Sequence, residues 1–159
     1  MILVLLGTFR IEFQRPLVEI EKLCKEGRIS EEIIVQSGHT KYESQFFTIV
    51  PFMDVDRLNQ LYDEARIIIT HAGTGSMLNG VKRGKKVIAI PRLTKFGEHI
   101  DDHQLEIAGV FAEKKYVLPW NEGDSLYSIL QQANDFVPEK YISKKEVIIE
   151  YLKNYIDNL

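Results

Sequence analysis

Six short runs of nearly uninterrupted Val, Ile and Leu constrain the fold of this chain more than any other feature. Ile2–Leu6, Ile33–Gln36, Phe46–Val50, Ile67–Thr70, Val87–Ile90 and Tyr116–Leu118 are brief and close at Gly, Pro or polar residues, which is how β-strands read. Between them lie stretches with helical periodicity, over Phe13–Glu26, Asp54–Glu64, Ser76–Arg83, Ile100–Phe111 and Ser125–Asn134. A strand that is apolar at consecutive positions has to bury both of its faces, and a sheet does that with helices on either side. The alternation therefore predicts one α/β domain over residues 1–159, a Rossmann-like, doubly wound parallel sheet.

Composition agrees with a single ordinary domain. The chain has 159 residues, a formal charge of −3 and one cysteine, so no internal disulfide is possible and a reducing compartment is expected. Cys24 shares the apolar side of a helix with Leu17, Ile20 and Leu23, which makes it a small core residue. No cluster of Lys and Arg is interleaved with aromatics, so nucleic acid is not expected as a partner. Met1–Leu6 is too short for a membrane span and has no basic flank of the signal-peptide kind, so it reads as a buried first strand of a cytoplasmic protein.

The last element announces itself by Ser143-Lys-Lys-Glu146, a capping box in which Ser143 would accept from the Glu146 amide. Behind it, Val147, Ile148, Tyr151, Leu152, Tyr155, Ile156 and Leu159 form one apolar stripe of an amphipathic helix over 143–159. Two readings are open. The stripe packs on the parent sheet, or part of it meets another chain, a use that suits the ring and polar tip of Tyr151 and Tyr155.

The chemistry concentrates at Ile67-Ile-Ile-Thr-His-Ala-Gly-Thr-Gly-Ser76. A buried strand gives way to a small-residue loop and a helix near Ser76, at the carboxyl edge where open α/β sheets bind ligands. Gly73 and Gly75 permit close backbone approach, Thr74 and Ser76 bring hydroxyls, and the helix N-terminus brings free N–H groups and partial positive charge, together an anion site suited to phosphate. The loop lacks the Gly-Lys-Ser/Thr of a Walker motif, and Leu78 stands where a dinucleotide fingerprint has its third glycine. His71, at the strand end, either donates to a bound diphosphate, acts as a base or makes a structural hydrogen bond.

The strand Val87–Ile90 delivers a second polar loop, Pro91 to Gln104, to the same edge. Asp102, His103 and Gln104 fall near the start of the next helix, where carboxylate and amide groups can take paired hydrogen bonds from sugar hydroxyls. Arg92 and Lys95 are placed to offset phosphate charge. His99 and His103 are four apart with two aspartates between, yet no third ligand stands at a metal-site spacing, and no metal is expected. The basic run Lys82-Arg-Gly-Lys-Lys86 ends a helix on the opposite side of the sheet, where it favours the helix C-terminus.

Taken in order, His71-Ala-Gly-Thr-Gly-Ser76, Gly84-Lys-Lys-Val-Ile-Ala-Ile-Pro91 and Asp101-Asp-His-Gln-Leu-Glu106 resemble the C-terminal domain of family 28 glycosyltransferases. Val4-Leu-Leu-Gly-Thr8, Phe13-Gln-Arg-Pro-Leu17 and Val35-Gln-Ser-Gly38 resemble, more narrowly, the small subunits of two-chain bacterial exopolysaccharide and capsule glycosyltransferases, which are similar to the catalytic subunit of the dolichol-pathway N-acetylglucosaminyltransferase. The resemblance implies the donor-binding half of a GT-B enzyme, with a UDP-sugar as substrate and no cofactor. It places Gly73–Ser76 at the diphosphate, Asp102, His103 and Gln104 at the sugar and the backbone near Phe52 and Met53 beside the uracil, and Gly7, Thr8 and Arg92 are expected among the substrate-binding residues as well. The family commonly has a glutamate at the ribose, where this chain has Asn79, an amide without charge assistance.

One such domain is half of a two-domain active site. The expected function is thus the donor-binding catalytic subunit of a heteromeric glycosyltransferase. It moves a sugar from a UDP-sugar to a polyprenyl-diphosphate-linked acceptor in exopolysaccharide or capsule synthesis. The expected partner is a membrane-attached, acceptor-binding subunit that holds this chain at the inner face of the membrane. No residue is assigned as the base beyond His71 as a candidate. The alternative is a non-catalytic nucleotide-sugar-binding or enhancer subunit.

Overall fold

The computed structural model describes residues 1–157. Six strands, β1 (Ile2–Leu5), β2 (Ile33–Gln36), β3 (Thr48–Val50), β4 (Ile67–His71), β5 (Lys86–Ile90) and β6 (Leu118–Pro119), form one sheet. All pairings are parallel, in the order β3-β2-β1-β4-β5-β6. Helices α1 (Arg15–Lys25), α2 (Val55–Glu64), α3 (Thr74–Lys82), α4 (His103–Glu113), α5 (Leu126–Asp135) and α6 (Lys145–Asp157) complete the fold. The doubly wound reading of the sequence holds.

The uninterrupted strands serve two cores. Ile2, Val4, Leu6, Ile67, Ile69, Ile88 and Ile90 face α1 and α5, meeting Leu17, Ile20, Leu23, Leu126 and Ile129. The intervening Leu3, Leu5, Ile68, Val87 and Ala89 face α2, α3 and α4, meeting Leu61, Tyr62, Met77, Val81 and Ala108. A strand period of two thus sends alternate residues to opposite cores. Cys24 is half-buried against the first core. Gly80 lets α3 lie close to the sheet, since a β-carbon there would come within 2.7 Å of Val87 Cγ2.

Several boundaries differ from the periodicity, for local reasons. Tyr116 belongs to no strand: its amide donates to Phe111 O and Lys115 adopts φ 54°, a turn that closes α4 and delays β6 to Leu118. Asp54 and Ser125 are N-caps, accepting from Arg57 N at 2.8 Å and Ser128 N at 3.3 Å, so α2 and α5 begin one residue later. α1 starts at Arg15, where Pro16 sets the first turn.

The C-terminal helix corrects two expectations. Ser143 Oγ accepts from Lys145 N at 3.2 Å, not from Glu146 N. No residue of α6 is buried, and Tyr151 remains 69 % exposed. Both faces of the sheet are already covered by α1–α5, so the stripe has no sheet face left to pack on. Leu159 of that stripe lies outside the described residues. No described helix is long and apolar enough to cross a membrane.

Candidate functional site

The strand order reverses between β1 and β4, and the loops leaving their carboxyl ends diverge to opposite faces of the sheet. That switch point is where doubly wound sheets open a ligand crevice. Its walls are Leu6-Gly7-Thr8 after β1 and His71-Ala72-Gly73 after β4.

His71 fills the seam between those walls. A β-carbon on Gly7 would fall 2.7 Å from its Nε2, and one on Gly73 would fall 2.2 Å away. Gly7 has φ +79°, a conformation that glycine adopts without steric cost. Gly38 brings the loop after β2 so near that its β-carbon would meet Gly7 O at 2.1 Å. His71 Nδ1 lies 3.4 Å from both Leu5 O and Thr70 Oγ1. Burial pushes its pKa down to about 4, assisted by the charges of Arg92 and His99 and opposed by the Leu5 carbonyl. The imidazole is therefore neutral at pH 7.

Beside it, α3 begins two residues earlier than its periodicity indicated, drawing Thr74 and Gly75 into the first turn. Gly73 is the N-cap in extended conformation and no side chain caps the turn. Thr74 and Gly75 are exposed, and a β-carbon on Gly75 would have no neighbour within 4 Å. The two glycines therefore differ: Gly73 makes room for His71, whereas Gly75 leaves the helix N-terminus open from outside. Uncapped N–H groups at the positive end of a helix dipole have the chemistry to hold an anion. One turn on, Asn79 Oδ1 accepts from Arg83 Nη1, and Arg83 also holds Asn59 Oδ1 at 2.8 Å and Asp63 Oδ1 at 2.9 Å.

The loops beyond β3 and β5 extend this edge. After β3, Phe52 is half exposed with its ring edge-on to His39, and Met53 N donates to Gln36 Oε1 at 3.0 Å. After β5, Asp102 accepts from Thr94 N at 2.9 Å and from the Thr94 hydroxyl, just before α4. Asp102 borders a cavity of about 340 Å³ whose apolar lining includes Leu93, Leu105 and Trp120, with Arg15, Lys95 and Glu122 as polar groups.

Four residues expected to face a ligand are turned to other work. Arg92 is fully buried, and its guanidinium donates to Leu6 O, Ile11 O and Glu98 O. It continues β5 into the interior, so it does not reach a phosphate directly. Gln104 is buried with Oε1 accepting from Arg92 N at 3.1 Å. His103 is exposed, its Nδ1 3.3 Å from Glu106 Oε2. Lys95 forms an ion pair with Glu122.

The sequence reading missed the group around Glu98. This buried carboxylate takes both Arg15 Nε and Nη2 at 2.9 Å and Leu93 N at 3.1 Å. A single acid in a polar loop has no periodicity to mark it. The sign available in the sequence was that Arg92 falls two residues after Ile90, in step with the inward Ile88 and Ile90 of the strand. Among the described residues, no group of three or more His, Cys, Asp or Glu converges as a metal site. The basic run lies at the far edge, where Lys85 Nζ meets the Ala65 carbonyl and Lys86 Nζ the Asn134 carbonyl.

Comparison with known proteins agrees with this architecture. The model of the glycosyltransferase family 28 C-terminal domain matches residues 1–158. A relative from Yarrowia lipolytica, named UDP-N-acetylglucosamine transferase subunit ALG13, is 28 % identical over 114 residues, covering 70 % of this chain and 56 % of the relative. The subunit of the same name from Candida glabrata is 31 % identical over 81 residues, 50 % of this chain and 39 % of the relative. The chain thus spans about half or less of the curated relatives it matches. Among solved structures, the NMR structure of ALG13 gives a TM-score of 0.60 at 19 % identity, covering 89 % of each chain. MurG of Acinetobacter baumannii gives 0.55 at 19 % identity, covering 83 % of this chain and 40 % of that one. At such identities the structural likeness bears on the fold alone. The match over nearly the whole chain places it: this protein belongs to the glycosyltransferase family 28 C-terminal domains.

Proposed function

We propose that this chain is the donor-binding subunit of a heteromeric glycosyltransferase using a UDP-sugar. The observation that carries the reading is the uncapped α3 N-terminus at the β1/β4 switch point, left open by Gly75. The uracil is assigned to the edge at Phe52 and Met53, the diphosphate to the amides of Thr74, Gly75 and Ser76, and the sugar ring to the cavity beside Asp102. Phe52, exposed after β3, and Asp102, beyond β5, lie on either side of the α3 N-terminus along one sheet edge, which supports this assignment.

In the proposed transfer, an acceptor hydroxyl attacks the anomeric carbon. The bond from that carbon to the diphosphate oxygen breaks as the new glycosidic bond forms, and the hydroxyl proton passes to a base. The α3 amides and dipole stabilise the charge that grows on the departing diphosphate, the same electrostatic principle as an oxyanion hole. His71 is neutral and enclosed by Gly7 and Gly73, which supports a hydrogen-bonding role and assigns the base to the partner. That partner is proposed to be membrane-attached and to bind a polyprenyl-diphosphate-linked sugar in exopolysaccharide or capsule synthesis, holding this chain at the inner membrane face. The exposed stripe of α6 is proposed as its contact. Transfer of radiolabelled sugar from UDP-sugar to lipid-linked acceptor, present with both chains and absent with either alone, is the test. No transfer by the pair, with any UDP-hexose or UDP-N-acetylhexosamine, contradicts the reading.

One observation favours a second reading, a nucleotide-sugar-binding enhancer without catalytic work. Asn79 is engaged by Arg83 where the family resemblance leads one to expect a free carboxylate for the ribose. A pair that retains full transfer when Gly75 carries a side chain would support the enhancer.

A further inference from the structure

Arg92 combines full burial with incomplete pairing. Nη1 donates to Ile11 O at 2.7 Å and Glu98 O at 3.0 Å, and Nη2 donates to Leu6 O at 3.0 Å. Nε is the one buried side-chain polar atom without a partner among the described residues. The guanidinium lies 4.7 Å from the ring centre of Phe13 and 5.7 Å from that of Phe9. These acceptors belong to two different loops, the one that leaves β1 through Gly7 and the one that leaves β5 toward α4. A single side chain therefore locks the wall of the switch-point crevice to the loop that carries Asp102.

Its charge is only partly balanced. The Glu98 carboxylate is occupied by both Arg15 nitrogens and Leu93 N, and Arg92 meets the Glu98 backbone oxygen instead. Two guanidinium groups thus share one carboxylate. Burying an ion is costly, and well-packed apolar replacements are often as stable or more so. The three carbonyls account for a donor at this place, and the net charge is the part that stability does not require. A net positive charge within the fold favours an anion held just outside it, because the intervening protein screens poorly.

We infer that Arg92 is a positioning residue for an anionic ligand, setting the loop after β1 and supplying positive charge from inside the fold without touching the phosphate. The inference rests on the nucleotide-sugar reading above. Its test compares dissociation constants for UDP and for uncharged uridine, measured by NMR titration of the full chain. R92M is expected to weaken UDP about tenfold more than uridine, since only UDP carries the negative charge that the buried guanidinium would attract. R92K keeps most of the preference for UDP. E98Q, which removes the compensating negative charge, shifts the preference in the opposite direction, toward UDP.

A purely structural role would weaken both ligands by one factor in R92M and leave the ratio unchanged in E98Q, and that result overturns the inference. If R92M does not fold, E98Q decides: a raised UDP preference sustains the inference and an unchanged or lowered one overturns it. A wild-type chain that binds uridine and UDP equally also overturns it while leaving the uracil site standing. A chain that binds neither overturns the nucleotide-sugar reading itself, and this inference with it.

Discussion

The imidazole of His71 occupies the place that a β-carbon on Gly73 would take, with Nε2 2.2 Å from it. A side chain at Gly73 therefore displaces the ring that joins the two walls of the crevice. Gly73→Ala is expected to cost about 1–3 kcal/mol, the range for inserting a methyl group where nothing gives way. Gly7→Ala adds backbone strain to its own 2.7 Å contact and should cost at least as much. Urea unfolding of both variants measures this; midpoints equal to wild type would show that the ring moves aside freely.

The same histidine gives stability a pH dependence of known sign. Burial holds its folded pKa at about 4 against an ordinary value of 6.5. The unfolded chain thus takes up the proton first as pH falls, and stability present above pH 6.5 is lost between pH 6.5 and 4. The full difference corresponds to about 3 kcal/mol at one proton per site, an upper bound. His71→Asn should flatten this part of the profile, measured as unfolding free energy from pH 7 to 4. An unaltered slope would mean that the imidazole already protonates in the fold.

Asn79 stands where a carboxylate would suit the ribose, with its Oδ1 held by Arg83. Asn79→Glu keeps an acceptor for Arg83 and adds charge to any hydrogen bond from the diol. Uridine should bind about three- to tenfold tighter, since charge-assisted hydrogen bonds exceed neutral ones by roughly this much. UDP should gain less, because the added carboxylate also repels the diphosphate, and a gain for uridine separates this effect from that of Arg92. Weaker binding of both would place the ribose elsewhere.

Removing α6 should leave the domain intact. None of its residues is buried, so a chain ending at Ser143 is expected to lose no more than about 1 kcal/mol of stability and to bind UDP unchanged. Co-purification with the partner, however, should fail. A large loss of stability would mean that α6 belongs to the core of the domain.

Much of this was legible in the sequence because sheet burial imposes a strong local pattern. Ile67-Ile-Ile read as a strand covered on both faces, which it is, whereas Gly73-Thr-Gly-Ser76 read as a loop before a helix and its last three residues form the first turn of that helix. Side-chain direction was less legible. Arg92 and Gln104 read as ligand-facing because they sit in a polar loop, but a loop packed over a sheet edge also needs polar groups for its own backbone. Arg92 meets two carbonyls of the loop after β1, more than 80 residues away in sequence, and one at Glu98, while Gln104 takes the Arg92 amide within its own loop. The placement of α6 was hidden for a related reason. An apolar stripe marks what must be covered, and only the full count of helices on the sheet shows that α1–α5 leave it no room.

The most direct measurement is the titration of the chain carrying Gly75→Asp with UDP, set beside its thermal unfolding. A β-carbon at this position meets no atom of the protein, and a carboxylate in the first turn of α3 favours the helix dipole. The variant should therefore melt at or above the wild-type temperature while losing UDP binding at least tenfold, with any partner-dependent transfer lost as well. Undiminished UDP binding in the folded variant would contradict a diphosphate site at the α3 N-terminus.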